Sequence, residues 1–219
     1  MYVKELWRFP VKSMAGEPLT QIQVGQLGFA DDRKVLVVGP NRRVITSRTH
    51  PRLLGLKGTI GFDGQPRISG HVWNSPEALA LVREAAGPGA ELIQYDGPER
   101  FDILPLLVAT DGAIAAFDHD GRRLRPNIVI GGVEDLAERS WPGNCLRIGD
   151  VEIGVQDLRD RCVMTTFDPD TLVQDVGVLK EIVRKFNGKL ALNCYVSHGG
   201  ELHMGDRVEL VAEHDCQPR

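Results

Sequence analysis

The chain has 219 residues, 42% hydrophobic and 26% charged, the make-up of a globular protein with a substantial core. A net charge of −4 argues against nonspecific nucleic-acid binding, and no apolar run reaches the roughly 18–20 residues that cross a bilayer. The opening Met1–Pro10 carries charge early and has no apolar signal core, so a cytoplasmic protein without a membrane segment is expected.

The first third reads as short strands: Tyr2–Phe9, Leu19–Val24, Lys34–Val38, Leu53–Ile60 and Pro66–Ser69. Ala15-Gly16, Gly39-Pro40-Asn41 and Asp63-Gly64 mark turns between them. Many short strands at close spacing predict a barrel or sandwich. A helix is predicted over 75–86, with Ser75 as N-cap, Pro76 in the first turn and Gly87 as stop. Gly97-Pro98 then breaks the chain, and a boundary between two β-rich units is expected near 97–103.

The second unit opens with an apolar strand, Leu104–Ala109, followed by a short helix from Thr110-Asp111. Further strands are expected at Asn127–Ile130, Cys145–Ile148, Val151–Gln156, Cys162–Thr166, Leu190–Val196 and Arg207–Val211. Val176, Leu179, Ile182, Val183 and Phe186 recur at helical spacing and are expected to face the core, with Asn187-Gly188 ending the helix. The polar tail from Glu213 is expected to fray.

Charge is unevenly spread: residues 1–67 carry a net +6 and the remainder −10. A basic first third on an acidic chain suits an anionic ligand of limited size. Basic and hydroxyl residues recur at expected strand ends: Lys12-Ser13, Arg33, Arg48, Thr110 and Arg125-Pro126-Asn127. A phosphate needs this combination of charge-assisted and neutral donors. Walker, dinucleotide-binding, zincin and nucleophile-elbow motifs are absent from the sequence, and His198 and His203 make a weak metal pair.

The four cysteines, at 145, 162, 194 and 216, have neither zinc nor redox-pair spacing and are expected to be thiols. Cys162 stands apart because Arg159 and Arg161 flank it. Nearby cations favour a thiolate, and thiolates ligate soft metals. A buried unreactive thiol, or a hydrolase nucleophile paired with His50 or His198, would also suit the residue.

Taken in order, Tyr2–Phe9 leading into Pro10-Val11-Lys12-Ser13, then Arg33, then Arg48-Thr49-His50-Pro51-Arg52-Leu53 resembles the N-terminal β-barrel domain that accompanies the MOSC family. Leu124-Arg125-Pro126-Asn127-Ile128-Val129-Ile130, Arg161-Cys162-Val163-Met164-Thr165-Thr166-Phe167-Asp168-Pro169-Asp170-Thr171 and Met204-Gly205-Asp206 resemble the MOSC domain itself, named for the molybdenum cofactor sulfurase C-terminus. The pattern is most similar to the amidoxime-reducing branch and its bacterial counterparts.

This resemblance implies a mainly β chain, with a barrel-like domain over 1–97 and a MOSC β-barrel with a few helices over 98–213. It implies a molybdenum–molybdopterin cofactor, no iron–sulfur cluster and no pyridoxal phosphate. Cys162 would ligate molybdenum. Lys12, Ser13, Arg33, Arg48, Thr110, Asp111, Arg125 and Asn127 match positions around the pterin or its phosphate, Asp160 and Arg161 match the two residues before the ligand Cys, and Asn193 stands at a cofactor-site position where relatives often carry another polar residue. The implied activity is reduction of small N-hydroxylated compounds with electrons from a separate ferredoxin-, flavodoxin- or cytochrome-type donor. The implied alternative is a cofactor carrier or sulfur-transfer module without turnover.

Overall fold

Tyr2–Arg8 is a strand in which Val3 and Leu6 are both buried while Tyr2 and Lys4 face solvent, a register shift between Val3 and Glu5 resetting the alternation between the two buried positions. In the computed structural model, which describes residues 1–212, it is β1. The rest of the N-terminal unit follows as β2 (Glu17–Leu19), β3 (Gln21–Gly25), β4 (Gly28–Phe29), β5 (Val35–Val38), β6 (Gly58–Ile60), β7 (Pro66–Ile68), β8 (His71–Val72), α1 (Pro76–Ala86) and β9 (Glu91–Gln94). Then come β10 (Leu106–Thr110), α2 (Asp111–Phe117), β11 (Ile128–Gly131), β12 (Asn144–Ile148), β13 (Val151–Asp160), α3 (Val176–Phe186), β14 (Lys189–His198), β15 (Gly200–His203) and β16 (Glu209–Ala212). The chain is mainly β, as expected. The tail from residue 213, read from the sequence as frayed, lies outside the described residues.

Eight strands form one mixed sheet in the order β16-β12-β13-β14-β10-β11-β1-β2. Only β10 and β11 pair in parallel, with Val108 opposite Ile128; α2 lies in the crossover between them. β1 is antiparallel to β11, with Val3 opposite Ile130. The sheet therefore draws strands from both sides of residue 97. Among the described residues three small sheets, β15-β3-β4, β5-β9 and β6-β7-β8, complete the β structure. The Val11–Val35 and Ala15–Lys57 bridges tie the segment after β1 to the smaller sheets.

Apolar side chains collect in three places. Leu106, Ile128, Ile130, Leu146 and Ile153 line the large sheet. Val35, Val37, Leu53, Ile68 and Val82 pack beneath α1. Phe117, Ile182, Phe186 and Leu190 fill the space between α2 and α3. Each fully buried Leu, Ile or Phe contributes roughly 1.5–3 kcal/mol of transfer free energy.

The helices start and stop where the sequence signals say. The Ser75 hydroxyl accepts from the Ala78 amide, Pro76 opens α1, and Gly87 leaves it at φ +100°. The Asp175 carboxylate caps α3, and Asn187 ends it in the left-handed region. The buried face of α3 differs from the expected stripe, however. Val178, Ile182 and Phe186 are buried, whereas Val176 and Val183 are more than half exposed.

Two predicted strands take other forms. Leu53–Ile60 divides into a 3-10 turn over Pro51–Gly55 and the short β6, because Pro51 has the fixed φ and missing N–H that suit a helical first turn. Cys162–Thr166 becomes a 3-10 turn over Val163–Thr166 with Cys162 at its N-cap. Its β-branched residues favour a strand, but the Thr165 and Thr166 hydroxyls donate to the carbonyls of Cys162 and Val163 at 2.9 and 2.6 Å. Those local bonds replace a ladder. Cys162 and Cys194 are free, while Cys145 is disulfide-bonded, contrary to the expectation of thiols throughout. Among the described residues no helix is long and apolar enough to cross a membrane.

Candidate functional site

One cleft is lined by residues from both sides of residue 97 in the sequence. Lys12 and Ser13 follow β1, and Arg33 precedes β5. Arg48 sits on the Thr46–Thr49 turn, and Arg125 and Asn127 precede β11. The end of β13 brings Arg159 and Asp160, and the chain runs on through Arg161 to Cys162. The cleft is narrow, with a cavity volume of about 80 Å³.

Three of these residues hold left-handed backbone: Ser13 at φ +71°, Arg33 at +55° and Arg125 at +57°. Such conformations cost of order 1–3 kcal/mol each and gather at ligand clamps. The Arg33 amide is fixed by a 2.8 Å bond to the Phe9 carbonyl, and Arg125 caps the 3-10 turn Gly121–Leu124.

Phe9 is the floor under two of the cations. The Arg125 guanidinium lies 4.4 Å from its ring centroid and that of Arg33 5.2 Å. Arg125 also donates to the Met14 carbonyl at 2.7 Å. Arg33 pairs with Asp32, which is fully buried. Asp32 in turn accepts from the Phe9 amide and from the Asn127 side chain, at 2.7 and 3.2 Å. Asn127 is spent on such internal bonds: its oxygen accepts from the Leu107 amide at 3.2 Å and its nitrogen also reaches the Trp7 carbonyl at 3.3 Å. It joins β1 to β10 and holds Arg33 in place.

Asp102 is the hub that sequence reasoning missed. Its carboxylate takes Lys12 at 2.8 Å, Arg48 at 2.6 Å and Arg159 at 3.6 Å. Burial alone would raise its pKa, but Lys12 first, then Arg48 and Arg159, hold it below the usual carboxylate range. An available signal was a lone acid inside the apolar run Phe101-Asp102-Ile103-Leu104, just before β10. Arg48 is coupled both to Asp102 and to the Cys162 sulfur. Asn193 closes the chain of contacts: it accepts from Arg159 at 3.3 Å and donates to Asp157 at 2.6 Å.

Cations outnumber anions here. Burial and then neighbouring arginines lower Arg125 to about 9 and Arg161 to about 10, and burial likewise lowers Arg159. Lys12 is lowered by burial, with Arg33 and Arg48 adding to the effect. Arg161 donates to the Leu124 carbonyl at 2.8 Å, yet its buried Nε has no partner. An anion entering the cleft would relieve this crowding.

Two expected members lie elsewhere. Thr110 caps α2, accepting from the Ala113 amide at 3.1 Å, and donates to buried Glu138 at 3.3 Å. Asp111 accepts from the amides of Gly132 and Val133 at 2.9 and 3.0 Å. Neither lines the cleft. Asp160 does, with its side chain largely in solvent. Among the described residues no histidine lines the cleft. Cys194 is a core thiol, pushed far up by burial and then by Asp157.

Among the described residues no group of three His, Cys, Asp or Glu side chains could hold a metal ion. A metal at Cys162 would have to arrive with most of its own ligands.

Two family models match: the MOSC N-terminal beta barrel domain over residues 1–76 and the MOSC domain over residues 110–209. Mitochondrial amidoxime reducing component 2 of Rattus norvegicus is 49% identical over 233 residues, covering 79% of this chain and 68% of the relative. The chain belongs to the MOSC family. This MOSC protein is also 24% identical to human mitochondrial amidoxime-reducing component 1 over 282 residues, covering 96% of the chain and 83% of the relative. A third relative, molybdenum cofactor sulfurase 2 of Culex quinquefasciatus, is 35% identical over 99 residues. That match takes in 42% of the MOSC protein but only 13% of the sulfurase.

Proposed function

We propose that this MOSC protein is a molybdenum-cofactor-dependent oxidoreductase that reduces N-hydroxylated compounds with electrons from a separate donor protein. The observation that carries the reading is the meeting of one accessible thiol, Cys162, with a cation-rich clamp in a single cleft. The surplus of positive charge, the partnerless Arg161 Nε and the left-handed Ser13, Arg33 and Arg125 all fit a phosphate-bearing cofactor. The likeness to amidoxime-reducing components and to a molybdenum cofactor sulfurase supports the same choice.

Lys12, Ser13, Arg33 and Arg125 would hold the anionic end of the cofactor, and the Cys162 sulfur would ligate the metal. When bound, the cofactor supplies the two-electron chemistry that, with two protons, converts an N–OH group to N–H and water. The protein's residues do the rest. Phe9 fixes two guanidinium planes, Asp102 spaces Lys12 from Arg48 and Arg159, and Asn193 orients Arg159. The guanidinium of Arg48 lies beside Cys162 at the mouth of the same cleft.

Elemental analysis of protein made in a host that synthesises the cofactor tests this. Molybdenum near one per chain, lost in Cys162→Ala, is expected. Cys162→Ser should keep part of the cofactor through the phosphate contacts but lose most amidoxime reduction with an artificial electron donor. Equal turnover by loaded Cys162→Ser would sink the proposal. The sulfurase likeness favours a second reading, a carrier or sulfur-transfer module. Such a protein would exchange its cofactor readily and turn nothing over.

A further inference from the structure

α3 keeps one face outside the core. Val178, Ile182 and Phe186, each one turn apart, take its buried side. On the other side Val176, Lys180, Val183 and Asn187 recur at helical spacing, and Arg184 lies one turn beyond Lys180. All five are exposed. Val176 and Val183 leave 54% and 58% of their surface in water, and Val173, in the segment leading into the helix, leaves 66%. Apolar side chains exposed singly are ordinary, but three gathered at one helix face mark a contact surface.

The charges on this face have one sign. Among the described residues neither Lys180 nor Arg184 forms an ion pair. Glu181, the one acid within the helix, sits on the opposite flank, held by Lys185 and by His119 at 3.2 Å. The Asp175 carboxylate is turned onto the Gly177 amide at 2.8 Å. Residues 68–219 carry a net −10, so an unpaired cationic patch here runs against the charge around it. The complementary surface is acidic, with a small apolar centre to cover the valines.

The same helix stands behind Cys162. The Asp175 amide donates to the Thr166 carbonyl at 2.8 Å, and the Gln174 side chain donates to the Thr166 hydroxyl at 3.1 Å. Thr165, in the same 3-10 turn, donates its hydroxyl to the Cys162 carbonyl at 2.9 Å. A single hydrogen-bonded turn therefore joins the start of α3 to the residue that bears the thiol.

We propose that the exposed face of α3, together with Val173, is the docking surface for an acidic electron-transfer protein that reduces the Cys162 centre. The inference rests on the redox reading of the cleft and gives its donor a place to bind. Each N–OH converted to N–H and water consumes two electrons and two protons. The donor supplies the electrons and is itself oxidised; solvent supplies the protons. Lys180 and Arg184 steer the donor by charge, and the valines form the apolar centre of the contact.

The test uses the full chain loaded with molybdenum. Its variants are Lys180→Glu with Arg184→Glu, Val183→Ser, and, as a control, Arg207→Glu, an exposed cation beside β16. A plant-type ferredoxin, a flavodoxin and an acidic b-type cytochrome serve as probes in calorimetric titrations. At least one is expected to bind the parent, more weakly as salt rises. The double reversal should raise its Kd more than about tenfold and flatten the salt dependence. Val183→Ser should raise the Kd by a smaller factor with the salt dependence kept, and Arg207→Glu should stay within about twofold of the parent. Turnover driven by reduced viologen, which needs no docking, should be the same in all variants. Binding of none of the probes overturns the proposal, as does binding that the double reversal leaves unchanged or that Arg207→Glu weakens equally. Binding to anionic phospholipid vesicles and to no redox probe would assign the face to a membrane. A dimer lost in Val183→Ser would assign it to a second copy of the chain. Either result overturns the proposal. If a probe binds through this face but loaded parent reduces no N-hydroxylated compound even with viologen, the redox reading fails by itself and the docking surface stands.

Discussion

The Arg48 guanidinium donates to Asp102 Oδ2 at 2.6 Å, while Asp102 Oδ1 holds Lys12 at 2.8 Å. One carboxylate thus keeps two cations, from separate turns of the N-terminal unit, at a fixed spacing. Asp102→Asn should lower stability at neutral pH by about 1 kcal/mol, since the group is partly solvated. The folded-state pKa is depressed, so its contribution is present above the unfolded value of ~3.9 and is lost as pH falls through the lower folded value. Urea midpoints of parent and variant should therefore differ at pH 7 and draw together as the pH falls well below ~3.9. A gap that persists in acid would contradict the assignment.

Gly16 is pressed against the Phe9 floor. A Cβ there would stand 2.3 Å from the Arg8 carbonyl oxygen and 2.6 Å from the Phe9 ring. The first neighbour is backbone and cannot rotate away. Gly16→Ala is expected to cost about 1–3 kcal/mol, as overpacking does, and to displace the ring on which Arg33 and Arg125 rest. Thermal unfolding should show the loss, and molybdenum retained through gel filtration should fall with it.

Glu138 is fully buried, and its Oε1 has no partner. Burial raises its carboxyl above the ordinary range. The favourable contribution of the neutral acid is therefore complete below the unfolded pKa of ~4.3 and disappears as pH rises through the folded value. Glu138→Gln keeps an acceptor for Thr110 and removes the charge. It should be more stable than the parent by about 1 kcal/mol at pH 8 and show little difference at pH 4.5. Melting temperatures across that range provide the check, and a variant less stable at pH 8 would refute it.

Arg125 stacks on Phe9 and faces the cleft as a buried, permanently charged guanidinium. Arg125→Lys keeps a charge but loses the planar contact with Phe9, and should release molybdenum on dialysis at pH 7 more readily than the parent. Retention equal to the parent would argue against an anion held by Arg125.

Local patterns were legible in the sequence where local forces decide. Ser75, Pro76 and Gly87 bound α1 as read, and Lys34–Val38 is a strand to within a residue. The cleft was legible as a set of residue types, Lys12, Ser13, Arg33, Arg48, Arg125 and Cys162, which the fold brings together. Long-range partners were not. Asp102 is a hub only because Lys12, Arg48 and Arg159 arrive from three distant segments. Thr110 and Asp111 were read as ligand contacts, yet their side chains satisfy amides at the start of α2 and beside β11. The 3-10 turn after Cys162 was misread because threonine's strand preference yields to its own hydroxyl bonds.

The pairing of β1 with β11 governs the order in which this chain can fold. Residues 2–8 leave the ribosome long before Ile128–Gly131, the strand they must lie beside. At ordinary translation speeds the delay is about ten seconds, during which the first strand has no neighbour on that edge. Until then Val3 and Leu6 lack the cover that the closed sheet gives them. Cells that speed elongation through the first half of this gene would shorten that vulnerable interval.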